Sequence, residues 1–182
     1  TQFTEVWDMG FRCSTNEVIA FGGCVPSNVS AGIIDQTTGT LSMANFNPTV
    51  ATGSQDIVSH AIDDAGNFFV NYASIASPVL NNKISAINST FNGNVWTQPS
   101  TFTTLVEAGN KANYVSYAGN GSNGFNSLAV NANYLFYYDG LNLAAYNKTT
   151  GTLTASTTVP GQFVKHQGGI AVDDCDNLYL GG

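Results

Sequence analysis

Apolar and polar residues follow one another along this chain in short runs that end in Asp, Asn, Gly or Thr. No stretch sustains the three-to-four spacing of a helix face, and the runs are rich in Val, Ile, Phe and Tyr, so the pattern predicts strands joined by turns. The chain reads as all-β.

The runs repeat as two kinds of hairpin. The first is an apolar pair, a polar turn and a β-rich strand: 60–70 reads His-Ala-Ile-Asp-Asp-Ala-Gly-Asn-Phe-Phe-Val, and 169–180 reads Gly-Ile-Ala-Val-Asp-Asp-Cys-Asp-Asn-Leu-Tyr-Leu. Residues 127–137 carry the same pattern with a shorter turn, and residues 10–20 a degenerate copy. The second hairpin has a turn ending in Gly. Residues 31–42 and 143–154 share Thr-Thr-Gly-Thr-Leu, and residues 84–95 form a third copy around Gly93. The turn residues have a physical reason: Asp and Asn side chains bond the backbone two residues on, and Gly66, Gly39, Gly93 and Gly151 can take positive φ.

Two consecutive hairpins per unit make a four-stranded antiparallel sheet the natural repeating element, which is a propeller blade. The expected fold is therefore a β-propeller of four-stranded blades, with units at about 1–48, 49–123, 124–161 and 162–182. The last unit reaches Gly181-Gly182, which corresponds to Gly22-Gly23 and Asp139-Gly140, positions after which the other units build an outer hairpin. About three and a half blades are expected, an incomplete propeller whose remaining blades come from the same or another chain. A sandwich of about fourteen strands is the competing architecture.

The segment at 169–182, Gly-Ile-Ala-Val-Asp-Asp-Cys-Asp-Asn-Leu-Tyr-Leu-Gly-Gly, resembles the repeat of NHL-type propellers and, more closely, repeats of large secreted surface proteins of Bacteroidetes-like bacteria. The resemblance covers the inner hairpin of each unit. It implies export and a place in a cell-surface protein, as an adhesin or a scaffold module. Residues 89–96 also resemble the Asp-box turn of sialidase-type propellers, but Phe91 stands where that box has its Asp, and Arg12 is the only arginine available to hold a carboxylate. The Thr-Thr-Gly-Thr-Leu turns are similar to those of quinoprotein blades, yet Trp7 and Trp96 are the only tryptophans, so the repeated docking Trp of that family is missing. No cofactor is expected.

Composition sharpens the picture by exclusion. Charged residues are 9% of the chain, against roughly a quarter in ordinary domains, and neutral polar residues replace them. The net charge of -7 comes with five Lys and Arg in all, scattered singly, which leaves no basic footprint for nucleic acid or an anionic membrane surface. No apolar run approaches the roughly 20 residues of a membrane-spanning helix, and a secretory leader is expected to have preceded the sequence. The three cysteines, Cys13, Cys24 and Cys175, lack metal-ligand spacing. A Cys13–Cys24 disulfide with Cys175 left over is one arrangement open to them. Four Asn-x-Ser/Thr sequons, at Asn28, Asn88, Asn120 and Asn147, are about what a sequence so rich in Asn, Ser and Thr contains by chance.

Candidate sites are few. The Asp63-Asp64 and Asp173-Asp174 pairs offer hard oxygens suited to calcium, but too few per turn for the six to eight that ion takes, and turn-making is the expected role; no metal site is predicted. His60 and His166 each lie by an inner strand without a recognisable nucleophile and acid, so no catalytic residue is assigned. The long connection from Pro99 to Phe125 is the expected contact surface, with Glu107, Lys111, Tyr114 and Tyr117 as its binding residues. Residues 113–117 alternate and could add a strand there. The function expected is a non-catalytic extracellular binding, adhesion or scaffold module whose partner is a surface glycan or protein. A propeller-type lyase or hydrolase with catalytic residues in other blades, and a structural spacer in a surface filament or layer, are the alternatives.

Overall fold

A computed structural model of the chain describes residues 6–22, 30–45, 55–74, 81–87, 90–92, 95–97, 103–110, 128–138, 142–159 and 169–181. Among these residues every regular element is a strand and there is no helix. The first sheet is formed by β1 (Val6–Arg12), β2 (Glu17–Gly22), β3 (Ser30–Ile34) and β4 (Leu41–Asn45) in that spatial order, each antiparallel to the next. The second starts with β5 (Gln55–Ile62), β6 (Phe68–Ser74) and β7 (Asn81–Ile87).

Its fourth strand departs from the sequence pattern. The hairpin expected around Gly93 does not continue the sheet; β8 (Thr90–Asn92) and β9 (Val95–Thr97) pair only with each other. In that pair Thr90 lies opposite Thr97, Phe91 opposite Trp96 and Asn92 opposite Val95. The outer strand of the sheet is instead β10 (Thr103–Asn110), which pairs with β7. Part of the connection expected at Pro99 to Phe125 is thus a strand, whose Thr-Thr-Leu-Val start is β-rich.

The third sheet, β11 (Leu128–Val130), β12 (Tyr134–Tyr138), β13 (Asn142–Asn147) and β14 (Leu153–Thr158), repeats the order of the first. The fourth consists of the pair β15 (Ile170–Val172) and β16 (Leu178–Leu180).

The sheets stack face to face, and β12 shows why. Its alternate residues enter different cores: Leu135 and Tyr137 pack with Leu128 against Ala61 and Phe69 of the second sheet, while Phe136 and Tyr138 pack with Ala129 against Ile170 of the fourth. A strand covered on both faces needs apolar residues at every position, which is what 134–138 supplies. In each four-stranded sheet one edge strand faces its neighbours: β5 touches β1 and β11, and β11 touches β15. A buried hydrogen bond ties two of these edges, the Leu128 amide donating to Ser59 Oγ at 3.2 Å. Consequently the turns β1–β2, β5–β6, β11–β12 and β15–β16 come to one end of the stack.

Candidate functional site: the turn-lined mouth

Each of these turns is shaped by its own sequence. In β5–β6 the Asp63 carboxylate accepts the Asn67 amide at 2.8 Å and Asn67 Nδ2 at 2.9 Å, while the Gly66 amide donates to the Asp63 carbonyl at 2.9 Å. Asp173 does the same in β15–β16: it accepts the Asn177 amide at 2.9 Å, Asn177 Nδ2 at 3.0 Å and the Cys175 amide at 2.9 Å. Position four of the turn needs a left-handed backbone. Gly66 meets it with φ 87°, Asp176 with φ 63° and Asn16, in β1–β2, with φ 54°. Asn and Asp are the non-glycine residues best suited to that region, so three turns of different sequence share a left-handed fourth residue whose amide bonds back to the first, although the strands close around five residues in β5–β6 and β15–β16 and four in β1–β2. By that alignment Cys13 holds the place of Asp63 and Asp173. In the shorter β11–β12 turn Asn131 Oδ1 accepts the amides of Asn133 at 2.9 Å and Tyr134 at 2.7 Å.

The turns also hold each other. Ser14 donates its amide to Asp64 Oδ1 at 3.3 Å and its hydroxyl to the Asp64 carbonyl at 2.9 Å, joining the first and second sheets. Asn131 Nδ2 donates to Asp176 Oδ1 at 2.8 Å, joining the third and fourth. Between the second and third, Lys148 spans the gap: its Nζ donates to Asp63 Oδ2 at 2.8 Å and to the Asn131 carbonyl at 3.2 Å. Lys148 stands in the β13–β14 turn, where Asn147 Oδ1 accepts the amides of Thr149 and Thr150 and Gly151 has φ 71°. The β3–β4 turn matches it bond for bond, Asp35 Oδ1 accepting from Thr37 and Thr38 with Gly39 at φ 69°. Gln36, the counterpart of Lys148, donates to the Asn16 carbonyl of its own sheet's inner turn.

Together the four inner turns line a cavity of about 450 Å³. Phe11, Ile62, Val130 and Val172, one from each sheet, contribute its apolar wall, and Asp63, Asp64, Asp173, Asp174 and Asp176 its acidic rim, with Lys148 as the counter-charge. Arg12 is buried beside the mouth, paired with Glu17 Oε2 at 3.1 Å and reaching the Asp64 carbonyl at 3.4 Å. Burial alone drives the Asp63 carboxyl upward, but the bonds from Lys148 and Asn67 outweigh it and leave the group below the usual carboxylate range. Asp173 is held down to about 2 by the Asn177 side chain and amide, with Tyr179 Oη donating at 2.9 Å. The Tyr179 phenol is raised in turn by that bond and charge. Partial removal from water and the carboxylates of Asp174 and Asp64 raise the Cys13 thiol. Asp63 and Asp173 therefore stay ionised through neutral and mildly acidic pH.

The first Asp of each pair is a turn-maker, as its sequence position implied, and both members of each pair line the cavity. Among the described residues no group of three or more His, Cys, Asp or Glu side chains is arranged to hold a metal ion. His60 is 3% exposed on β5, outside the cavity lining, and burial drops its pKa to about 3. Glu107 belongs to β10 and pairs in register with Lys83, three strands out from β5, roughly 14 Å at the usual strand spacing. Lys111, Tyr114, Tyr117 and His166, and the possible strand at 113–117, lie outside the described residues. Cys13 carries a free thiol at one end of β2. Cys24 lies outside the described residues.

Lys148 and Asn131 were not singled out by sequence reasoning, although Lys148 occupies the variable second position of the Thr-Thr-Gly-Thr-Leu turn, where the other copy has Gln36. No helix among the described residues is long and apolar enough to cross a membrane. Compared with known proteins, the chain matches no family model, no curated protein and no solved structure.

Proposed function

We propose that this chain is a non-catalytic extracellular binding or scaffold module of a larger cell-surface protein, built as a β-propeller whose blades are the stacked sheets. The observation that carries the reading is the shared mouth: four inner hairpins from four separate stretches of chain turn at one end and line one cavity. Rings of four-stranded blades place their inner turns around a central channel in this way, and concave surfaces made of loops on a rigid frame are where such folds bind. The low charge and abundance of neutral polar residues suit a secreted protein exposed to many surfaces, and the resemblance of 169–182 to surface-protein repeats points the same way. The ligand in this reading is a surface glycan or protein that meets the carboxylates and turn amides of the mouth.

Arrays of glycans and of surface proteins, probed with the purified chain and with Asp64→Asn/Asp174→Asn, test the reading. Selective binding that the double variant weakens at least tenfold is the expected result. Absence of binding to every surface component, or binding that the variant leaves unchanged, overturns it.

A further inference from the structure

Among the described residues two sheet faces have no neighbouring sheet, one on the first sheet and one on the fourth. On β1, Arg12 reaches toward the second sheet, so the alternate residues Met9 and Phe11 project the other way. On the fourth sheet, Ile170 packs toward the third sheet with Val172, Leu178 and Leu180, which leaves Ala171 and its register partner Tyr179 on the opposite face. Met9 is 62%, Phe11 51% and Tyr179 58% exposed. Leu153 is exposed to a similar degree, on β14. At the junctions of the second with the third sheet and of the third with the fourth, such apolar faces are covered by the neighbouring sheet.

The inner turns of the two sheets already meet. Phe11 and Cys13 of the first sheet line the same cavity as Asp173 and Asp174 of the fourth, and Tyr179 Oη, from the exposed face, donates to Asp173 Oδ2 at 2.9 Å. The Asp174 carboxylate is close enough to act on the Cys13 thiol, and Cys175 is the next residue in the chain. Both thiols are free and exposed, and the β5–β6 and β11–β12 turns carry none.

We infer that the Tyr179 face of the fourth sheet closes onto the Met9 and Phe11 face of the first, and that a Cys13–Cys175 disulfide latches the ring. The chemistry is thiol–disulfide exchange with a small disulfide such as oxidised glutathione. One cysteine thiolate attacks a sulfur of the oxidant and releases one small thiol. The other cysteine thiolate then attacks the mixed disulfide and releases the second. The two cysteines lose two electrons and two protons, and the small disulfide is reduced to two thiols. The carboxylates beside Cys13 hold its proton, so latching speeds up as pH rises. The inference rests on the ring arrangement proposed above, but its chemistry is read without any ligand, so failure of the latch and failure of array binding are separate results.

The test uses the purified chain and its Cys24→Ser variant in a glutathione redox buffer. The expected result in both is a monomer about 2 Da lighter, a proteolytic map linking Cys13 to Cys175, and severalfold less hydroxyl-radical labelling of Met9, Phe11 and Tyr179 than in the reduced form. Cys13→Ser and Cys175→Ser, each combined with Cys24→Ser, should lose the mass change and the protection together. Glutathione adducts without the internal link, a Cys24 link in the native chain, covalent dimers, or a Cys13–Cys175 link that leaves the three side chains as reactive as before each overturn the inference.

Discussion

The contact on which the mouth's geometry depends most is the one between Lys148 and Asp63, 85 residues apart in the chain. Asp63 is 3% exposed at its side chain and Lys148 19%, so the pair is withdrawn from water without being sealed. Replacing Lys148 by Met keeps the stem that packs over the turn and removes the charge. Asp63 then keeps its two bonds from Asn67 but loses the only cation in contact with it among the described residues. A charge-assisted hydrogen bond contributes about 1.5–3 kcal/mol, and breaking a fully buried pair costs about 3–5 kcal/mol; partial access of Lys148 to solvent favours the lower range, about 2 kcal/mol. For a chain of this size that corresponds to a melting temperature about 4–8 °C lower. Asp63 titrates below its unfolded value, so the contribution is complete above the ordinary carboxylate pKa of about 4 and disappears as pH falls through the lowered folded value. Urea denaturation at pH 7 and at a series of pH values below 4 reads both effects. A Lys148→Met variant within about 0.5 kcal/mol of the parent at pH 7, or a difference that persists unchanged in acid, would refute the reasoning.

Three further outcomes follow from the same structure. Phe136→Ala opens the core between the third and fourth sheets and should cost about 3–5 kcal/mol in denaturant unfolding, whereas a loss under about 1 kcal/mol would mean the sheets do not stack there. Gly39→Ala meets no atom within 4 Å of the added carbon yet must hold φ 69°, so it should cost about 1 kcal/mol while Gly39→Asn costs less, as Asn16 tolerates the same region; equal stability of all three would contradict the turn assignment. His60 is neutral in the fold with a pKa of about 3, below its unfolded value of about 6.5, so stability falls as pH drops from 6.5 toward 3, and imidazole NMR signals of the folded protein should show no titration of His60 above pH 5.

Much of the local structure was legible in the residues themselves. Asp63 with Asn67, and Asp173 with Asn177, mark their turns because the bonds involved span four residues. The Thr-Thr-Gly-Thr-Leu copies mark theirs through Asp35, Asn147 and the glycine each needs at positive φ. The β-rich run 134–138 marked a strand, but only packing revealed that both of its faces are covered. The second sheet was misread at its outer strand because the segment after Ile87 offers two ways to turn, and a strand sixteen residues downstream of Ile87 wins the edge of β7. What sequence could not show is long-range. Lys148 reaches Asp63 and Ser14 reaches Asp64 only because sheets from separate stretches stack with their inner turns together, and the equivalence of Cys13 with Asp63 appears only when Asn16 is seen in the conformation of Gly66.

That convergence is the central claim, and distances between spin labels test it most directly. Labels placed pairwise at the exposed turn positions 15, 65, 132 and 175, with the remaining cysteines replaced by serine, should give short and mutually similar separations, since the turns line one cavity of about 450 Å³. In a two-layer sandwich with turns divided between its ends, some pairs would lie farther apart by about the length of a strand, roughly 20 Å for seven residues. One cluster of short distances supports the mouth; a set split between two ends contradicts it.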